Sequence, residues 1–291
     1  MIYDIIIVGA GPAGLTAALY AKRANKKVLV FEALTYGGQL ANISKIDNYP
    51  SNPHISGIDL ATNLYNQVKE LDTEIIFEKV ININNFDNYK EVVTESNTYQ
   101  TKTIILATGN YSKKLNLPNE EKFIGRGISY CATCDGNFFK DKDVSVVGDN
   151  DTTIEDCLYL SDICKNVYLI TNKDKLDNNK LKEKDNIKIL FNSKINKLVG
   201  DKYLEGIETN SETIDVSGLF VSLGRIPENE NFKKLIELDK FGYIKANELC
   251  HTNVSGIFAA GDNRVKSLRQ IVTATSDGAI AATEAIKYLN E

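Results

Sequence analysis

The sequence predicts an α/β protein made of two doubly wound, Rossmann-like domains. Three observations carry that expectation. Residues Ile2 to Val8 are apolar and β-branched almost throughout, as a strand covered on both faces should be, and they run straight into Gly9-Ala10-Gly11-Pro12-Ala13-Gly14. The same order of strand, glycine and helix returns at Val144 to Val147 and Gly148. The chain has 291 residues, room for two domains of roughly 100–200 residues each.

The elements follow in order. Leu15 to Ala24 has helical spacing, and Lys27 to Phe31 is a second strand ending at Glu32. Glu74 to Phe77, Glu91 to Thr94 and Thr103 to Leu106 are short alternating runs that predict a β-meander and a return strand. Asn84 to Asn88 reads as a polar turn between the first two. Tyr111 to Pro118 and Arg225 to Asn231 are polar and carry Pro118 and Pro227, which marks them as linkers. In the second copy, a helix over Thr152 to Ile163 leads to a strand at Val167 to Ile170. A last block runs from Gly256 to Asp262, and Arg269-Gln270-Ile271-Val272-Thr273-Ala274 opens an apolar helix.

Composition narrows the function classes. With 43% hydrophobic and 25% charged residues, the chain reads as soluble and globular, not disordered or collagen-like. The net charge of −5 argues against general nucleic-acid binding, which needs a basic footprint. No run approaches the ~20 apolar residues of a membrane span. The opening MIYDIIIVGAG has no basic n-region and no cleavage site, so it reads as a buried strand and not a signal peptide. Five cysteines are too few and too odd for a disulfide scaffold, and point to a cytoplasmic setting where a paired thiol is redox-active.

Two motifs carry chemistry. In the first, Gly9 permits the tight turn, Gly11 lets the backbone approach a pyrophosphate, and Gly14 lets helix and strand close up. The helix start offers free N–H donors, and Glu32 can accept from ribose hydroxyls. In the second, Cys131-Ala132-Thr133-Cys134-Asp135, two thiols can close a reducible disulfide and tune each other's thiolate fraction. Asp135 can pass a proton to a departing thiolate. A zinc site would need two further ligands. Cys157, Cys164, Cys250, His54 and His251 offer no second pair at ligand spacing, so no metal is expected.

These residues, with Gly37-Gly38-Gln39-Leu40, Ala107-Thr108-Gly109, Gly261-Asp262 and Arg269-Gln270, resemble the low-molecular-weight thioredoxin reductase family over nearly the whole chain. The resemblance implies an FAD domain built from both chain ends, at 1–112 and 227–291, and an inserted smaller domain at 113–226 bearing the CxxC. It implies that Cys134 faces the flavin, that Cys131 exchanges with the thioredoxin disulfide, and that Asp135 is the proton donor. FAD contacts are implied for Gly9, Gly11, Pro12, Ala13, Gly14, Glu32, Gly38, Gln39, Leu40, Asn48, Ala107, Thr108, Gly109, Gly261, Asp262, Arg269, Gln270 and Ile271. A homodimer is implied too.

The inserted domain departs from the family. Its pyridine-nucleotide loop, Gly-x-Gly-x-x-Ala in the family, here reads Gly148-Asp149-Asn150-Asp151-Thr152-Thr153. Asn150 replaces the glycine that admits pyrophosphate, and Thr153 replaces a small residue. Asp149 and Asp151 place carboxylates where phosphates would sit. At an effective dielectric near 20, such a like-charge contact at ~4 Å costs about 4 kcal/mol. The family's His-Arg-Arg after the next strand is also absent; that strand ends Thr171-Asn172-Lys173-Asp174. Lys173 is a poor substitute for an arginine fork, and Thr171 stands where Glu32 stands in the first copy.

The sequence therefore resembles the ferredoxin-dependent flavin thioredoxin reductase branch, which implies thioredoxin as substrate and reduced ferredoxin as electron donor. Three alternatives stay open at this level: an NADPH-dependent thioredoxin reductase, an oxygen-using dithiol oxidase, and a non-catalytic flavin sensor. The remaining candidates read as structural. Cys157 and Cys164 share a helix face, Cys250-His251 would point to opposite sides of a strand, and His54 lies in a surface loop. The stretch Lys173 to Lys188 is a solvated face that could dock an acidic partner, as could Lys113-Lys114 or Lys140 and Lys142.

Overall fold

Strand β1 (Ile2–Val8) is buried over most of its length, in keeping with its unbroken apolar run. It leads through a glycine turn into α1 (Pro12–Arg23), then β2 (Val28–Phe31), α2 (Gly57–Lys69) and β3 (Glu74–Ile76). An antiparallel series follows: β4 (Val80–Asn85), β5 (Lys90–Thr94) and β6 (Thr98–Leu106), before β7 (Asn110–Ser112). The structure, a computed structural model, describes every residue except 44, 177 and 178, the last two within the lysine-rich stretch. By its internal contacts the chain divides into two units, residues 1–111 with 226–291 and residues 112–225.

Two expectations change in the first unit. Glu74–Ile76 does not open a meander; it pairs parallel with β2. The asparagine-rich run is strand as far as Asn85, with Asn84 opposite Glu91 and Asn85 opposite Lys90. The turn is 86–89, where the Phe86 N–H donates to the Tyr89 carbonyl at 3.0 Å. Cross-strand pairing here overrides the poor strand propensity of asparagine.

The second unit contains α3 (Glu120–Phe123), β8 (Ile128–Ser129), α4 (Ala132–Asp135), β9 (Asp143–Val147), α5 (Asp151–Ser161), β10 (Asn166–Ile170), α6 (Asn179–Lys182) and β11 (Ile187–Leu190). An antiparallel trio, β12 (Ile195–Val199), β13 (Gly206–Thr209) and β14 (Thr213–Asp215), precedes β15 (Gly218–Val221). Its parallel sheet runs β11-β10-β9-β15-β8. The two stretches expected as linkers are not simple coil: β16 (Arg225–Pro227) pairs with β7.

The chain then returns to the first unit as β17 (Ile257–Ala259) and α7 (Ile271–Tyr288). Its sheet runs β3-β2-β1-β6-β5-β4, with β17 parallel to β6. The two chain ends are joined where α7 meets α1. Ala13, Ala17 and Ala21 share one buried cluster with Ala281, Ala282 and Ala285. A Cβ on Gly278 would lie 2.2 Å from the Ala13 carbonyl oxygen, so the backbones touch only because residue 278 has no side chain. No described helix is long and apolar enough to cross a membrane.

Gly278→Val should cost about 3 kcal/mol, because the added atoms meet backbone and not a movable side chain. Thermal melting should fall by several degrees. An unchanged melting temperature would contradict this helix contact.

Candidate active site

The β1–α1 turn shows why each glycine stands where it does. Gly9 has φ +110°, and a Cβ there would lie 2.3 Å from the Ala107 carbonyl oxygen. A Cβ on Gly14 would lie 1.8 Å from the Gly9 oxygen. Gly11 is different: nothing lies within 4 Å of where its Cβ would be. Gly11 is also the N-cap of α1, with no side-chain cap, no acid in the first turn, and Pro12 at the helix start. The leading N–H groups of a helix need outside acceptors, and here no side chain caps them.

Glu32, Gly38, Ala107 and Gly261, singled out from the sequence, lie against this turn, and the other predicted residues have the placements that follow. Glu32 accepts from the Ala10 N–H at 2.8 Å and the Leu34 N–H at 3.0 Å. The Gly37 N–H reaches the Ala10 carbonyl at 2.8 Å. Gly38, Gln39 and Leu40 form one 3-10 turn over Gly38–Asn42, and the Cβ position of Gly38 is 3.6 Å from Gly11 Cα. Ala107-Thr108-Gly109 follows β6, and the Ala107 N–H bonds the Val8 carbonyl at 2.8 Å. Gly261 lies against Ala13, and half-buried Asp262 follows it. Gln270 caps α7 in a mutual exchange with Thr273, and its Oε1 accepts from Asn48 Nδ2 at 3.0 Å. Ile271 begins that helix. The Arg269 guanidinium sits 4.1 Å from the Tyr243 ring centre.

Five residues behind this cradle were not read from the sequence. Asp277 on α7 is buried. It accepts from the Gly261 N–H at 2.9 Å, from Arg264 Nε and Nη2 at 2.8 and 2.9 Å, and from Lys266 Nζ at 2.8 Å. Its signal was an acid amid the alanines of an apolar helix. Asn229 and Asn263 are fully buried. Thr108 Oγ1 donates to Asn229 Oδ1 at 3.1 Å, and Asn263 Nδ2 donates to the Leu106 carbonyl at 3.0 Å. Asn229 falls in a stretch read as linker; nothing local marks it as core.

In the second unit, Cys131 and Cys134 form a disulfide with their Cα atoms 5.3 Å apart. Cys131 precedes the short helix α4, and the Cys134 and Asp135 N–H groups fold back onto its carbonyl. Asp135 accepts a 2.6 Å hydrogen bond from Ser129 Oγ. Burial pushes the Asp135 carboxyl up, and the Ser129 hydroxyl opposes that shift. Gly136 lies against Leu160 and Tyr159 at 3.1 and 3.2 Å from its Cβ position. Tyr130, next to Cys131, is tied to buried Glu120 at 2.6 Å.

The second copy of the glycine turn is closed. Asn150 caps α5: its Oδ1 accepts the Thr153 N–H at 3.0 Å, and the Thr153 hydroxyl accepts the Asn150 N–H at 3.3 Å. Both side chains also donate to the Ser222 carbonyl, Asn150 Nδ2 at 3.1 Å and Thr153 Oγ1 at 2.9 Å. The Ser222 hydroxyl in turn donates to Asp156 at 2.7 Å. Thr171, the counterpart of Glu32, is buried and accepts the Lys173 N–H. Asp149 and Asp151 are exposed. Solvent screens their charge, so the interlocked side chains, more than like-charge repulsion, occlude the turn.

The remaining candidates lie apart from this chemistry. Cys157, Cys164 and Cys250 are buried free thiols. Burial pushes Cys164 up to about 11 and Cys250 to about 12. His251 pairs with Glu284 at 2.9 Å, not with Cys250.

A family model described as pyridine nucleotide-disulphide oxidoreductase matches residues 3–278. The thioredoxin reductase of Bacillus subtilis (strain 168) is 39% identical over 302 residues, covering 100% of this chain and 96% of its own. The chain belongs to the low-molecular-weight thioredoxin reductase family. Thioredoxin reductase from Streptococcus pyogenes MGAS5005 superposes with a TM-score of 0.95 at 38% identity, over 99% of this chain and 98% of that one. A ferredoxin-flavin thioredoxin reductase from Clostridium acetobutylicum is 32% identical with a TM-score of 0.57, over 99% and 98% of the two chains. Members of the thioredoxin reductase family are FAD-dependent disulfide reductases, and the open Gly11 cradle under an uncapped helix fits a cofactor pyrophosphate.

The ion cluster behind the cradle has a pH signature. Burial alone would raise the Asp277 carboxyl; bonds from Arg264, Lys266 and the Gly261 N–H outweigh it and hold the group below its ordinary range. Its stabilising effect is therefore complete above the ordinary carboxylate range and is lost as pH falls through the lowered value. Asp277→Ala should cost about 3–5 kcal/mol at neutral pH, since it strands two cations. Thermal melts should show that gap shrinking toward pH 3, and a gap independent of pH would contradict the pairing.

Proposed function

We propose that the chain reduces the disulfide of thioredoxin through FAD and the Cys131–Cys134 pair, taking electrons from reduced ferredoxin and not from NADPH. The observation that carries the donor assignment is the Asn150–Thr153–Ser222 interlock, which fills the turn a pyridine dinucleotide would need. The absence of an arginine pair after β10 supports it, as does the likeness to the Clostridium acetobutylicum protein. The setting is the cytoplasm and the assembly a homodimer.

In this reading Gly9, Gly11, Pro12, Ala13 and Gly14 hold the FAD pyrophosphate against the start of α1, the end of a helix that favours anions. Glu32 takes the ribose; its two oxygens keep lone pairs beyond those given to Ala10 and Leu34. Gly38, Gln39, Leu40, Asn48, Ala107, Thr108, Gly109, Gly261, Asp262, Arg269, Gln270 and Ile271 line the rest. FAD, when bound, supplies the electron pair that opens the disulfide. The reduced pair then acts on its own. Cys131 as thiolate attacks the thioredoxin disulfide and forms a mixed disulfide, and one substrate sulfur leaves as thiolate. Cys134 attacks Cys131, releasing the second substrate sulfur and restoring the Cys131–Cys134 bond. Asp135, whose carboxyl burial pushes up, supplies a proton to a departing thiolate.

The test is an anaerobic visible titration of the holoenzyme. Reduced ferredoxin should bleach the flavin and support thioredoxin turnover, which Cys134→Ser should abolish, while NADPH should leave the flavin yellow. Bleaching by near-stoichiometric NADPH would replace this reading with an NADPH-dependent reductase. Peroxide formation from a small dithiol, with no ferredoxin requirement, would replace it with a dithiol oxidase.

A further inference from the structure

One buried hydroxyl beside the disulfide has a place in the proton transfer. Ser129 closes β8 and is buried. Its Oγ lies 2.6 Å from Asp135 Oδ2 and 3.3 Å from the Cys131 carbonyl oxygen, and it accepts the Cys131 N–H at 3.1 Å. A hydroxyl has one hydrogen to donate and two lone pairs to accept with, so two acceptors share one donor. When Asp135 is ionised, the hydrogen goes to the carboxylate in a charge-assisted bond. When Asp135 is protonated, the acid donates to Ser129 Oγ and the hydroxyl turns to the Cys131 carbonyl. The protonated state has a donor for each contact; the ionised state gives up the bond to the Cys131 carbonyl, which still accepts from the Cys134 and Asp135 N–H groups, and passing between them takes a rotation about one bond.

We propose that Ser129 is a positioning residue for Asp135: it fixes the orientation of the acid and stabilises the carboxylate left behind once the proton has gone to sulfur. This rests on the reading of Asp135 as proton donor. An incoming thiolate bonds to one sulfur of the Cys131–Cys134 pair, and the S–S bond breaks with its electron pair on the other sulfur. That sulfur leaves as thiolate and takes the Asp135 proton, while the Ser129 hydrogen swings onto the new carboxylate. A second thiolate of the same dithiol reductant completes the two-electron exchange. The Ser129 bond to charge exists only after proton loss begins, so it favours the transition state over the ground state.

The surroundings leave Ser129 as the partner that tunes this acid. β8 contributes Ser129 itself. From α5 and the residue pair after it, Tyr159, Leu160 and Ile163 stand against Gly136. Burial raises the Asp135 carboxyl and Ser129 lowers it, with no charged side chain contributing among the described residues.

The test uses the oxidised holoenzyme and dithiothreitol, so it needs neither ferredoxin nor thioredoxin. Reduction of the disulfide is followed by acid quench and maleimide trapping, and the rate per dithiothreitol thiolate is plotted against pH. Wild type should show an alkaline limb where Asp135 loses its proton. Ser129→Ala should move that limb up by about one pH unit and slow the plateau about tenfold. Ser129→Thr, which keeps the hydroxyl, should restore both. A limb in Ser129→Ala that coincides with wild type overturns the proposal however much the rate falls. Should Ser129→Ala not fold, Ser129→Thr carries the test, and a displaced limb there overturns it. Asp135→Asn separates the two layers: it should have no such limb, and a limb retained there defeats the Asp135 reading and this proposal with it.

Discussion

A helix begins with N–H groups that have no partner within the helix, and each must find an acceptor. This chain builds the same strand–turn–helix twice and meets that demand in two ways. At α1 the N-cap is Gly11, which has no side chain to offer, so no side chain caps the donors and the space where a Cβ would stand is open. At α5 the N-cap is Asn150, which turns its own amide back onto Thr153. One turn is left needing an anion; the other has satisfied itself. The proposed assignment of cofactor to one unit and of no second nucleotide to the other starts from this difference in capping.

The closed turn is more than a lost glycine. Ser222 sits at its centre, with its carbonyl taking hydrogen bonds from Asn150 and Thr153 and its hydroxyl bonding Asp156. Gly148 must remain glycine, because a Cβ there would lie 2.2 Å from Thr153 Oγ1. A dinucleotide would have to break several of these bonds at once and leave buried polar groups unpaired, which is costly. These bonds are therefore built into the packing of this unit.

The open turn depends on polar groups buried behind it. Asp277 ties α7 to the Gly261 backbone while balancing Arg264 and Lys266. Asn229 and Asn263 tie the Thr108 and Gly242 segments together. A buried charge cluster lacking one member is strongly destabilising, so these residues hold the cradle in shape.

Local sequence alone determined the two glycine turns, the strand and helix runs around them, and the redox pair with its acid. These rest on short-range rules: steric permission at Gly9 and Gly14, strand burial at Ile2 to Val8, and spacing at Cys131 and Cys134. The departure of Asn150 and Thr153 from the family pattern was legible as well. What those side chains do was not, because their shared partner, Ser222, is distant in sequence. The strand over Val80–Asn85 was hidden for the same reason, since its asparagines are held by pairing with β5. Asp277, Asn229, Asn263 and Ser129 are ordinary polar residues until folding buries them and leaves each needing a partner. Tertiary structure decided which partner that would be, because a hydrogen bond is chosen by what is near in space when water is gone.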